Sequence, residues 1–159
     1  MREPAEYEVK AAFIYHFAQL VDWPPSDTPS DKPFVIALVG EDVFGRQLED
    51  VIGGAKAHNR GIRIVRARSV EALALRPDLL FVGAKSAREA QRALALVATA
   101  PVLTVGEAEG FAESGGMIGF RLTADGRVAF DINLQAADQA GLKLSSQLLK
   151  IARIVGPRP

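Results

Sequence analysis

Two stretches of the 159-residue chain gather residues that could do chemistry. The first is Gly40-Glu41-Asp42-Val43-Phe44-Gly45, a glycine-bounded turn with two adjacent carboxylates. A turn between a strand and a helix is where open α/β sheets hold ligands, often on the helix N-terminus. It is not a Walker A loop, because Arg46-Gln47 stands where Lys and Ser or Thr must grip phosphate and magnesium. It is not GxGxxG either, and Glu41 and Asp42 would repel an anion. A structural turn and a ligand loop both stay open. The second stretch is Gly110-Phe111-Ala112-Glu113-Ser114-Gly115-Gly116-Met117-Ile118. Its glycines permit tight turns around an exposed-looking Phe111, which reads as a pocket wall.

Other reactive residue types are sparse. His16 sits at the apolar edge of a helix, and His58 lies in a solvated turn. Neither has a second ligand at metal spacing, so no metal is expected. No Gly-x-Ser-x-Gly elbow is present, and Ser86, Ser114, Ser145 and Ser146 have cap or turn explanations. The carboxylate pairs Glu41-Asp42, Glu49-Asp50 and Glu107/Glu109 sit in polar stretches and read as solvated or helix-capping groups. No catalytic residue is expected, and no cofactor. Trp23, the only tryptophan, fits either core packing or a partner anchor.

The elements that would position these residues follow from the hydrophobic pattern. Val9, Phe13, His16, Phe17 and Leu20 recur at helical spacing, and Trp23-Pro24-Pro25 stops that helix. Residues 26–32 read as a loop. Phe34-Val35-Ile36-Ala37-Leu38-Val39-Gly40 is a continuous apolar run, as in a strand covered on both faces. A helix over 44–52 follows, closed by Gly53-Gly54. Strands are predicted at 62–66, 79–83 and 102–106, with a short helix capped by Ser69 and a longer one over 87–97 capped by Ser86. Alternating strands and helices predict a parallel sheet with helices on both faces. Ala124-Asp125-Gly126 between two strand-like runs predicts a hairpin, which adds an antiparallel edge. Asn133 caps a helix over 134–140, Gly141 ends it, and Ser145 caps a last helix over 146–155, a reading preferred to one long helix with an apolar stripe from Leu134 through Gly141 to Val155. The expected fold is one three-layer α/β domain over 1–159, its sheet mostly parallel with an antiparallel C-terminal hairpin edge.

Composition narrows the class of function. Nineteen basic and nineteen acidic residues cancel, which argues against nucleic acid. Cysteine is absent, so disulfides, thiol catalysis and thiolate metal sites are excluded. No run has the length of a transmembrane helix. The N-terminus carries no signal peptide, so the chain is expected to be cytoplasmic or a mature form whose export signal has been removed.

Several segments together resemble the YfiR-like family of bacterial periplasmic proteins. They are Lys10-Ala11-Ala12-Phe13-Ile14-Tyr15, Phe17-Ala18, Trp23-Pro24, the turn over 39–45, Gly110-Phe111-Ala112 and Gly115-Gly116-Met117-Ile118. The last are Phe130-Asp131-Ile132-Asn133-Leu134, Ala136-Ala137, Gly141-Leu142 and Ser145-Ser146 with Leu148-Leu149. The resemblance implies a periplasmic location after signal cleavage. It implies a regulator that restrains an inner-membrane diguanylate cyclase, relieved by an outer-membrane lipoprotein, with biofilm formation as output. The partner would be that cyclase or another sensor protein. Family members often carry cysteines that pair, which this chain lacks, and His16 stands where asparagine is common.

A small-molecule sensor, like one lobe of a solute-binding protein, is the alternative. Its ligand would meet Gly40, Glu41, Phe44, Gly45, Lys85, Ser86, Glu107 and Phe111, all expected just past strand ends. Trp23 is the candidate partner-binding residue. A homodimer through the hairpin edge or the first helix stays open.

Overall fold

The computed structural model describes residues 4–25, 32–83, 87–98 and 100–156. The chain opens with α1 (Pro4–Leu20) and β1 (Val21–Asp22). It continues through β2 (Phe34–Gly40), α2 (Gln47–Ile52), β3 (Lys56–Ala57) and β4 (Arg60–Ala67). After a 3-10 turn at Val70–Ala72 come β5 (Leu79–Gly83), α3 (Ala87–Leu96) and β6 (Leu103–Gly106). The C-terminal part holds β7 (Ile118–Leu122), β8 (Val128–Asn133), α4 (Leu134–Gln139), β9 (Lys143–Leu144), α5 (Ser146–Ile151) and β10 (Arg153–Val155).

The main sheet has the order β10-β8-β7-β6-β5-β2-β4-β3. Pairing is parallel from β4 through β2, β5 and β6 to β7, and β7–β8 is the antiparallel hairpin at that edge. Alternate strand residues point to opposite faces, and both faces are covered. Phe34, Ile36, Phe81, Ile118 and Phe130 pack under α1, α2 and α5, whereas Ala37, Val39, Leu80 and Val82 pack under α3. The expected three layers are therefore present. The chain leaves β2 for β4 on one side and returns to β5 on the other. That reversal makes the carboxyl ends of β2 and β5 the topological switch point.

Local chemistry explains the chain reversals. Gly126 takes a positive φ in the β7–β8 turn. His58 and Asn59 both have positive φ, which closes the β3–β4 hairpin as a type I′ turn. The Asn133 side chain accepts from the Ala136 amide and caps α4. Gly141 is left-handed, and the Leu142 amide reaches back to the Ala137 carbonyl, the Schellman ending expected.

Three readings are corrected. The buried stripe of α1 is Tyr7, Lys10, Ala11, Ile14, Phe17 and Ala18, whereas Val9 is 42% exposed and His16 lies in solvent. A helix apolar around most of its circumference offers no single stripe to hydropathy, and the buried face includes a lysine. The last helix ends at Ile151 rather than reaching 155, because Arg153–Val155 pairs with β8 as β10. The Arg153 guanidinium holds both carboxylate oxygens of Asp131, at 2.9 and 2.8 Å, which fixes that strand. Finally, Phe111 is only 3% exposed. Its ring fills space that glycines leave. A Cβ on Gly116 would lie 2.2 Å from the ring and one on Gly106 2.7 Å.

Gly116→Ala forces Phe111 to move in a close-packed site and is expected to cost about 1–3 kcal/mol in urea denaturation. Gly54→Ala, where the backbone is not left-handed and no atom lies near the added carbon, is the control for backbone effects alone, since like Gly116 it lacks a positive φ but does not touch Phe111.

Candidate functional site

The turn over residues 40–45 is held from within. The Asp42 carboxylate accepts from the amides of Phe44 and Gly45, an Asx arrangement that delays the start of α2 from 44 to Gln47. Arg66 on β4 then ties the turn down. It donates to the Gly45 carbonyl at 2.6 Å, binds Glu49 with two nitrogens and pairs with Asp42 at 3.2 Å. The Arg66 hydrogen bonds hold the Glu49 carboxyl below its ordinary range, and Glu49 in turn raises the Arg66 guanidinium. Gly40, Glu41 and Gly45 are exposed on this turn.

Beside it, at the switch point, lies a cavity of about 280 Å³. Val39, Gly40, Val82 and Ala93 line it, and Arg92 pairs with Glu71 at its rim at 2.9 Å. The Glu71 carboxyl is held low by its own backbone amide and then by Arg92.

Phe44 and Glu107 go to the opposite face of the sheet. Phe44 is buried edge-on against Tyr7 at 5.6 Å and Phe81 at 4.9 Å. Glu107 enters a buried charge cluster with α1. The Lys10 ammonium lies 2.6 Å from Glu6 and 2.8 Å from Glu107, and the Tyr7 hydroxyl donates to Glu107 at 3.1 Å. Lys10 is 3% exposed. Phe111 belongs to the α3 face. Lys85 and Ser86 lie outside the described residues. The predicted ligand set is thus divided between two faces: Gly40 borders the cavity, while Phe44, Glu107 and Phe111 are interior.

Trp23 sits at the other end of the sheet, where α1 has finished. Its indole N–H donates to the Asp78 carbonyl at 3.0 Å, and its ring meets Phe34 edge-on at 5.1 Å. His58 stands beside it, with Nε2 2.9 Å from the Ala18 carbonyl oxygen. Trp23 remains half-buried and forms part of a groove of about 480 Å³ at the amino ends of the strands.

Among the described residues, no cluster of three or more His, Cys, Asp or Glu is arranged to hold a metal. Every buried side-chain nitrogen and oxygen there has a hydrogen-bond partner. No described helix is long and apolar enough to cross a membrane.

The buried aromatic faces, the Phe111 nest and the Asn133 cap run through nearly the whole chain in one order. A family model described as YfiR/HmsC-like matches the same span, residues 7–153. The chain belongs to the YfiR/HmsC-like family. No curated protein matches it significantly. The features of this YfiR/HmsC-like domain that sequence reading missed are the buried Lys10 and the Asp131 pair of arginines, Arg121 and Arg153. The i,i+4 spacing of Glu6 and Lys10 was the available signal for the first.

Lys10→Met removes a cation in contact with two buried carboxylates, Glu6 and Glu107. The expected loss is about 3–5 kcal/mol in urea unfolding at neutral pH, with part recovered in Lys10→Met/Glu107→Leu. A loss below about 1 kcal/mol would show the cluster to be well hydrated.

Proposed function

We propose that this domain is a periplasmic signalling regulator. It binds the extracytoplasmic region of an inner-membrane diguanylate cyclase and holds the enzyme in its inactive state, lowering cyclic di-GMP output and biofilm formation. An outer-membrane lipoprotein would relieve the restraint by competing for the domain. Membership of the YfiR/HmsC-like family over residues 7–153 carries this reading. The disposition of polar groups agrees with it. Lys10, Glu107, Asp131 and Asn133 make internal bonds that hold the elements of the domain in place for a partner. The domain has no catalytic role in this scheme.

Restraint requires differential affinity. A regulator shifts the cyclase only by as much as it prefers the inactive state, and about 5.5 kcal/mol of preference would swing it from mostly active to mostly inactive. A small molecule in the switch-point cavity beside Gly40 would tune that affinity through the Arg66-tied turn.

The test is reconstitution of the purified chain with each membrane cyclase or sensor that the same genome encodes beside it. The expected result is association with the cyclase's periplasmic region and reduced cyclic di-GMP synthesis in membranes. Absence of association with every co-encoded membrane sensor would contradict the proposal.

A further inference from the structure

The groove at the amino ends of β2, β4 and β5 is unlike the rest of the surface. The chain carries no net charge. Yet among the described residues Lys32, Arg60, Arg63 and Arg76 line this groove, against one acid, Asp78. Arg60 is already committed. It pairs with Asp78 at 3.6 Å, and its guanidinium lies over the Phe34 ring at 5.3 Å. Lys32, Arg63 and Arg76 are exposed and have no ion pair among the described residues. Their charge faces solvent around an apolar floor of Trp23, Val35 and Leu75. Prolines 24, 33, 77 and 101 supply the walls, and their fixed backbone reduces the ordering cost of binding.

The polar groups of the floor are used internally. The Trp23 N–H is bound to the Asp78 carbonyl, and Asp78 Oδ2 accepts from the Val35 amide at 2.9 Å. A small-molecule site needs a few polar groups converging on one point. This groove instead has a half-buried tryptophan in an arginine rim, the composition of a protein-binding hot spot. Unpaired rim cations steer a partner of opposite charge.

We infer that the groove docks an acidic peptide segment of the regulated partner, with an apolar side chain of that segment on Trp23 and its carboxylates against Arg63, Arg76 and Lys32. The inference rests on the reading that this chain works by binding a protein.

Trp23 is the only tryptophan, so its fluorescence reports occupancy of the groove. The probe is an acetylated octapeptide of glutamates with two leucines, titrated into the full chain at low salt. Its glutamine counterpart and free N-acetylglutamate are the controls. The expected result is a saturable emission change with the acidic peptide alone, about tenfold weaker in Arg63→Glu/Arg76→Glu and suppressed by high salt. The milder Arg63→Gln/Arg76→Gln is read in parallel, with circular dichroism melts establishing that both variants fold. No saturable change, equal affinity in the charge-reversed protein, or equally tight binding of N-acetylglutamate would overturn the inference; the last result would mark a small-anion pocket. The cyclase reconstitution separates the two readings. A charge-reversed protein that still binds the cyclase overturns the groove and leaves the regulator standing. A wild-type chain that binds the acidic peptide but no cyclase does the reverse.

Discussion

A single buried ammonium ties the structure together. Lys10 lies inside α1's packed face, in contact with Glu6 on its own helix and Glu107 just beyond β6. A lysine can occupy such a place only if carboxylates meet it, because an isolated charge in the interior is prohibitively costly. The pair therefore fixes the rotation of α1. Turning the helix by one residue would part Lys10 and Tyr7 from Glu107. With Lys10 seated, Tyr7, Ile14 and Phe17 are directed at the strands. Fixing α1 also fixes its end. Val21 pairs with Leu144, His58 reaches the Ala18 carbonyl, and Trp23 arrives over Phe34.

The two ends of the sheet differ as a result. At the carboxyl ends the conspicuous residues are consumed. Arg66 ties the turn after β2, Phe44 plugs the space between Tyr7 and Phe81, and Phe111 fills its glycine nest. Cavities of about 280 Å³ beside Gly40 and about 290 Å³ beside Glu109 and Arg121 stay open there. At the amino ends Trp23, the prolines and the basic residues stay accessible. An α/β sheet usually presents its ligands at the carboxyl ends of its strands, and here a groove of about 480 Å³ also opens at the amino ends.

Much of this was legible in the sequence. The runs at 34–40 and 79–83 are continuous and apolar because their strands are covered on both faces, and their shortness and flanking turn residues separate them from a buried helix. Asp125-Gly126, Asn133 and Gly141 announced their turns through backbone chemistry that acts locally. What stayed hidden depends on contacts between distant residues. The rotation of α1 is set by Glu107, roughly a hundred positions from Tyr7. The short β10 reads as helix until Asp131 is seen to hold Arg153. Phe111 looked exposed because glycines suggest a loop, whereas Gly106 and Gly116 are small in order to admit its ring. Trp23 was read as either core or anchor, and the structure shows it packed on Phe34, bonded to Asp78 and half-buried.

The claim that α1 is locked to the sheet by its buried charges is tested most directly by native-state amide hydrogen exchange. If Lys10 holds the helix, amides of α1 around Ile14 and Phe17 will exchange only with global unfolding, at the same opening free energy as those of β2 and β5. Exchange of α1 through a separate, low-energy opening while β2 stays protected would contradict it.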